Sequence, residues 1–237
     1  PIATLHLMSA IEPFAEDIWT LTGGRMSFYG LPFSTRAVIV RLADGKLWVH
    51  SPVAETPAER STIDALGPVA YLIAPNKIHS LGIAPWQAEW PEAETWISPG
   101  FHERHPAIPF TGTLSDVPQA GWAADIDQCV FAGHALLDEV VFLHRASGTL
   151  IVTDLIQKHM AADEAWHWQL LKRLAGVWGP RGGTAPDIRL GFRDRQAART
   201  ARDAILSWEF DRLIIAHGLC LKHGAKEEVR RVWSFLD

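Results

Sequence analysis

Residues 140–155 read VVFLHRASGTLIVTDL, and this stretch decides the fold. Two apolar runs, Val140 to His144 and Thr149 to Thr153, flank the turn Arg145-Ala146-Ser147-Gly148, which predicts a buried β-hairpin. A Gly133-His134 pair stands just before the hairpin and Asp154 closes it. Loops at strand ends are where a rigid sheet holds polar side chains convergent, so both residues are candidates for a site.

Upstream, 15–22 and 35–42 are rich in apolar and β-branched types and predict strands. Asp44-Gly45 then turns the chain into LWVHSPV at 47–53. A short helix over 58–66, opened by Pro57 and closed by Gly67, leads to the buried run VAYLIAP at 69–75, after which come Asn76 and His79. A helix around Trp86 to Trp90 and a strand from Thr95 to Ser98 follow, and 108–133 carries only short, weak patterns. Downstream, Asp163 to Val177 predicts an amphipathic helix stopped by the loop GPRGG at 179–183. Residues 194–208 read as a helix, DRLIIAHG at 211–218 as a short strand ending at His217, and Lys226 to Leu236 as a last helix. Two successions of strand-rich and then helical text, without repeats, predict one α+β or α/β domain over 1–237, a two-sheet sandwich covered by helices.

The chain has 237 residues, 48% of them hydrophobic, enough to bury a sizeable core. A net charge of −5, with Lys and Arg scattered, argues against a nucleic-acid partner. Cys129 and Cys220 can form neither a disulfide framework nor a thiolate zinc ribbon. No apolar run reaches membrane-spanning length and no secretory pattern opens the sequence, so the expectation is a cytoplasmic protein with no membrane partner. The eleven tryptophans are spread along the chain and read as core aromatics.

The order of strand-loop-His79, Gly133-His134, Thr153-Asp154-Leu155 and Ala216-His217-Gly218 resembles the metallo-beta-lactamase superfamily. That superfamily places an HxHxDH loop, a GH, a GD and a final GHG around one or two metals. The resemblance implies a four-layer αββα sandwich. APNxxH together with FLHRASGTLIVTDL is similar to one branch of it, the DUF4336 type. The departures are specific: with His79 on the last histidine of HxHxDH, Ala74 and Asn76 take the places of the first two, Ile78 that of the aspartate, and His50 that of the early aspartate near the strand end.

Imidazole and carboxylate are good ligands for zinc, and also for iron or manganese, so His79, His134, Asp154 and His217 are the expected ligands of one divalent metal. Ala74 and Ile78 cannot ligate, so a two-metal set is not expected. Asp154 and Asn76 are the candidate catalytic residues, Asn76 positioning water or substrate. The resulting function is a metal-dependent, hydrolase-like protein acting on a small molecule. The alternative is a silent, metal-free domain that binds a ligand or serves as a scaffold; redox iron is a third reading. Lys77 is a candidate anion contact, His102 and His105 could line the mouth, and Trp86, Trp90 and Trp122 could surround a partly apolar ligand. Asp138 and Glu139 read as solvated, and His144 as structural and remote. No G-x-S-x-G elbow or phosphate loop is present. The sequence leaves the oligomeric state open.

Overall fold

The computed structural model describes residues 11–28, 30–160 and 164–237. The chain opens as an antiparallel meander of β1 (Ile11–Ala15), β2 (Ile18–Phe28), β3 (Leu31–Arg41) and β4 (Leu47–His50). It then changes mode: α1 (Pro57–Leu66), β5 (Val69–Ala74), α2 (Ile83–Glu89), β6 (Glu94–Ile97), α3 (Phe101–Arg104) and β7 (Gly112–Thr113) add parallel strands to the same sheet, which runs β1 to β7 in chain order. The change occurs at α1, where Pro57 sets the first helical turn and Thr56 and Glu59 form a reciprocal capping box.

The second sheet has the order β11-β10-β9-β8. It comprises β8 (Ile126–Phe131), β9 (Glu139–His144), β10 (Thr149–Val152) and β11 (Arg212–Ile215); α4 (Trp166–Leu174), α5 (Pro186–Gly191) and α6 (Arg195–Ser207) lie between the last two strands. The chain ends with α7 (Ala225–Val232) and a 3-10 turn at Trp233–Leu236. β9 and β10 form the expected antiparallel hairpin, while β10 and β11 pair in parallel.

Period-two alternation decides which face each strand buries. Val38, Val40, Trp48 and Ile73 of the first sheet meet Val140, Phe142, Ile151 and Ile214 of the second. Their chain neighbours point the other way: Ile39, Val49 and Leu72 pack under Ile63 and Trp86, and Val141, Leu150 and Leu213 pack under Ala201, Ile205 and Val229. The result is the expected αββα sandwich.

Three local expectations differ. The strand expected over 15–22 is split by a turn at Glu16-Asp17, so Ala15 ends β1 and β2 starts at Ile18 and runs on to Phe28. β8 lies in the text that carried little pattern, because its polar residues are used pairwise: Gln128 accepts from Trp122 Nε1 and donates to Ser115 O, and Asp127 pairs with Arg145. In α4 the apolar stripe faces outward, with Trp166 75% and Leu174 78% exposed, while Lys172 is buried at 1%. The ammonium of Lys172 donates to Glu164 at 2.7 Å and to Pro32 O at 2.6 Å, so an ion pair, and not the leucines, faces the body of the protein. The expected first residue of that helix, Asp163, lies outside the described residues. Among the described residues no helix is long and apolar enough to cross a membrane.

Candidate metal centre

The loops after β4, β5, β10 and β11 meet at one end of the sandwich, because parallel pairing of β4 with β5 and of β10 with β11 brings their carboxyl ends out on the same side. They deliver Ser51, then Asn76 and His79, then Asp154, then His217. Among the described residues, one atom each from His79, Asp154 and His217 lies within 4.8 Å of the others, a spacing that suits a metal ion.

Asp154 is the hub. Its Oδ2 is 3.0 Å from Nε2 of His79 and its Oδ1 is 3.1 Å from Nε2 of His217. Asn76 Nδ2 donates to Asp154 Oδ2 at 2.8 Å and to Thr153 Oγ1 at 2.9 Å, and Asn76 Oδ1 accepts the N–H groups of Ile78 and His79. The outer nitrogens of both rings are held as well: Nδ1 of His217 donates to Ser34 O at 2.6 Å, and Nδ1 of His79 is 2.6 Å from Ser51 Oγ. Metal-ligating histidines are oriented in this way by a partner on the second nitrogen.

The donor chemistry fits a cation. Since a backbone carbonyl only accepts, the Nδ1 of His217 carries a hydrogen, and a neutral ring would then turn a lone pair at Nε2 toward a carboxylate oxygen. Two acceptors at 3.1 Å need positive charge between them or on the ring, a proton or a metal ion. The surrounding field agrees. Burial alone would raise the pKa of Asp154, but the charge of His79 and the hydrogen bonds from His217 and His79 hold its carboxyl well below the ordinary range. Burial alone would lower the pKa of His79, and the adjacent Asp154 carboxylate raises it instead.

Glu139 belongs to this site and was misread from sequence as a solvated group. It is fully buried at the first residue of β9, accepts the N–H groups of Thr153 at 2.7 Å and Asp154 at 2.8 Å, and so pins the turn that presents Asp154. Enclosure first, and the Asp154 charge second, push its pKa up. His159 stacks on His217 with ring centroids 6.1 Å apart, and burial, Lys172 and His217 lower its pKa to about 3. Periodicity carries no signal for either residue.

His134 stands outside this group, a correction to the expected four-ligand set. Its Nδ1 accepts the N–H groups of Leu136 and Leu137, its ring lies edge-on to Phe192, and its Nε2 faces Gly191. The neighbouring Gly133 has a backbone reason to be glycine: φ is +92°, and a Cβ there would lie 2.1 Å from Asp194 O. The Gly-His pair thus marks a turn. Gly218, beside His217, is constrained in the same way, with φ +111° and a Cβ position 1.9 Å from Lys158 O.

The remaining candidates take other roles. His50 is buried between Trp48 and Phe142 with neither ring nitrogen hydrogen-bonded, and burial followed by the charge of His79 lowers its pKa to about 3. Lys77 pairs with Asp138 at 2.6 Å, and Nε2 of His105 is 2.8 Å from Lys77 O. His102 packs against Phe110 and is not among the clustered donors. His144 bonds Ser147 in the hairpin turn, at the far end of β9 from Glu139. Trp86 and Trp122 are wholly enclosed in the core and Trp90 packs at a tilt against Trp86 and bonds Asp64, so these rings do not surround a ligand beside the site.

A family model described as "Domain of unknown function (DUF4336)" matches residues 15–164. No curated protein matches the chain. Among solved structures, the metallo-beta-lactamase from Pontibacter korlensis superposes with a TM-score of 0.63 at 12% identity, covering 95% of this chain and 97% of that one. A metallo-beta-lactamase from Hirschia baltica gives 0.61 at 14% identity, covering 95% and 96%. The metal-soaked Flv1 flavodiiron core from Synechocystis gives 0.66 at 12% identity, covering 95% of this chain and 60% of that one. At these identities the likeness is one of fold.

Proposed function

We propose that this chain, which belongs to the DUF4336 family and has the metallo-beta-lactamase fold, is a metal-dependent hydrolase of a small molecule with a single-metal site. The observation that carries the reading is the convergence of His79, Asp154 and His217 from three separate strand ends, each already oriented by a second partner. Two imidazoles and a carboxylate suit zinc first and iron or manganese next, and three protein ligands leave a coordination position open. A divalent ion held there supplies Lewis-acid polarisation of a carbonyl and activates water near neutral pH.

The protein's own part is positional. Ser34 O fixes which nitrogen His217 turns inward, Ser51 Oγ steadies His79, and Glu139 and Asn76 hold the Asp154 turn so that neither carboxylate oxygen can swing away. Asn76 is enclosed and fully engaged with the loops around it, so its role is to position Asp154 and His79.

Metal content by mass spectrometry, on untagged protein purified without added metal, tests the reading. About one equivalent of zinc, iron or manganese is expected in the wild type, lost in Asp154→Ala and in His217→Ala and retained in His134→Ala. Absence of metal after incubation with all three ions overturns it and leaves a ligand-binding or scaffold domain.

A further inference from the structure

α4 turns its apolar side away from the protein. Trp166, Leu170 and Leu174 recur every fourth residue, which is one stripe of a helix, and all three are exposed, as is Leu171 beside them. The opposite stripe meets the body. Lys172 bonds Glu164 and Pro32 O, and the ring of Trp168 lies 3.9 Å from the place a Cβ would take on Gly30. An amphipathic helix ordinarily buries its apolar side. Here the buried ion pair holds that side outward, and rolling it inward would leave Lys172 and Glu164 without each other.

The charge around this stripe is mostly of one sign. α4 itself carries no acidic residue. Arg173 lies in its last turn, with the guanidinium 4.8 Å above the ring of Trp178, and Arg181 lies in the loop that follows. Arg189 borders the same loop: a Cβ on Gly183 would stand 3.1 Å from its guanidinium and 2.8 Å from Gly176 O. All three arginines are exposed, and among the described residues none is paired with a carboxylate. Glu164 is neutralised by Lys172, which leaves Asp187 of α5 against three guanidinium groups. On a chain of net charge −5 this is a locally cationic, apolar surface.

Such a surface fits a partner that is anionic outside and apolar beneath, and size decides which. Nine residues make a ridge ~13 Å long and one helix, ~10 Å, across. That falls well short of the ~800 Å² per partner of a stable protein interface. A second copy of the chain would also bring two sets of arginines onto one small face. A bilayer sets neither condition: apolar side chains sink ~5–10 Å among the headgroups, a depth that tryptophan favours, while arginines meet the lipid phosphates. A helix lying on a bilayer needs none of the length of a spanning one.

We propose that α4 docks the protein on anionic lipid bilayers, with Trp166, Leu170, Leu171 and Leu174 among the headgroups and Arg173, Arg181 and Arg189 on the phosphates. The docking face is close to the metal ligands. Nζ of Lys172 is 5.5 Å from the centre of the Phe33 ring, and Phe33 meets His217 edge-on with ring centroids 5.2 Å apart. Lipid binding is a property of this surface, so it stands or falls apart from the metal reading.

Co-sedimentation with extruded vesicles tests the proposal, using phosphatidylcholine alone and phosphatidylcholine mixed with phosphatidylglycerol. The full chain is expected to pellet with the mixed vesicles, on the order of tenfold more weakly with phosphatidylcholine alone, and to be released by high salt. Brominated acyl chains in the mixed vesicles should quench its tryptophan fluorescence. The double variant Trp166→Asp with Leu170→Asp should bind on the order of tenfold more weakly and lose that quenching. Arg173→Gln with Arg189→Gln should remove the preference for the anionic vesicles. These side chains are exposed, so thermal melts close to that of the wild type are expected and show the variants folded. No binding of the folded wild type to the mixed vesicles, undiminished binding by the folded Trp166/Leu170 variant, or an anionic preference that survives loss of both arginines overturns the proposal. So does a wild-type dimer, seen by sedimentation velocity without vesicles, that the Trp166/Leu170 variant turns into a monomer, because a second copy then covers the face.

Discussion

Asn76 shows how much one side chain contributes when every one of its polar atoms is used. It donates to Asp154 and Thr153 and accepts from two backbone amides of its own loop, and it is wholly enclosed. Asn76→Ala should therefore lower unfolding free energy by about 2–3 kcal/mol, because it strips a donor from a buried carboxylate without giving that carboxylate access to water. Urea denaturation measures this, and a loss below about 0.5 kcal/mol would mean that these bonds do not hold the loops together. Asn76→Asp should cost more, since it places a third carboxyl beside Asp154 and Glu139. Glu139 makes the complementary point: a glutamate next to an aspartate before a strand looks solvated in sequence, and only the turn it caps reveals it as a buried acceptor.

At the scale of the element, α4 is attached by charge. Its apolar residues Trp166, Leu170 and Leu174 face solvent, and Lys172 is fixed to Glu164 and to Pro32 O at the start of β3. Removing one member of such a pair leaves the other buried and uncompensated, so Lys172→Ala is expected to cost about 3–5 kcal/mol. The double variant Lys172→Ala with Glu164→Ala should cost less than the sum of the single changes. A double-mutant cycle by chemical denaturation reads the coupling, and simple additivity would show that the helix is fastened by other contacts. The β9–β10 hairpin is held differently, by apolar residues packed on both faces.

For the whole molecule, the buried histidines set the acid limb of stability. His50 and His159 have pKa values near 3 in the fold against about 6.5 in an unfolded chain, so both are neutral when folded and take up a proton on unfolding in mild acid. Their share of stability is fully present above pH 6.5 and is lost as pH falls from there toward 3; at pH 5 each accounts for a loss of up to about 2 kcal/mol. His79 acts in the opposite sense, because its folded pKa is raised. The comparison that isolates one group is His50→Leu: its drop in unfolding free energy between pH 7.5 and pH 5 should be smaller than that of the wild type by roughly 2 kcal/mol. An unchanged drop would show that His50 gains its proton without unfolding.

The sequence by itself determined the longer elements and their order, but not the short β1, α3, β7 and α5. The hairpin around Ser147-Gly148, the helix opened by Pro57, and the strand ends bearing His79, Asp154 and His217 are all written in short-range periodicity and turn chemistry, which a chain expresses locally. It did not reveal β8, whose alternation is masked by Asp127 and Gln128, each matched to a distant partner. The tertiary structure alone decided which side chains share a point in space. It left His134 in a turn required by Gly133, and it brought Ser51 to His79 and Glu139 to the Asp154 turn, because convergence depends on the directions in which side chains leave strands that meet only once two sheets have packed face to face.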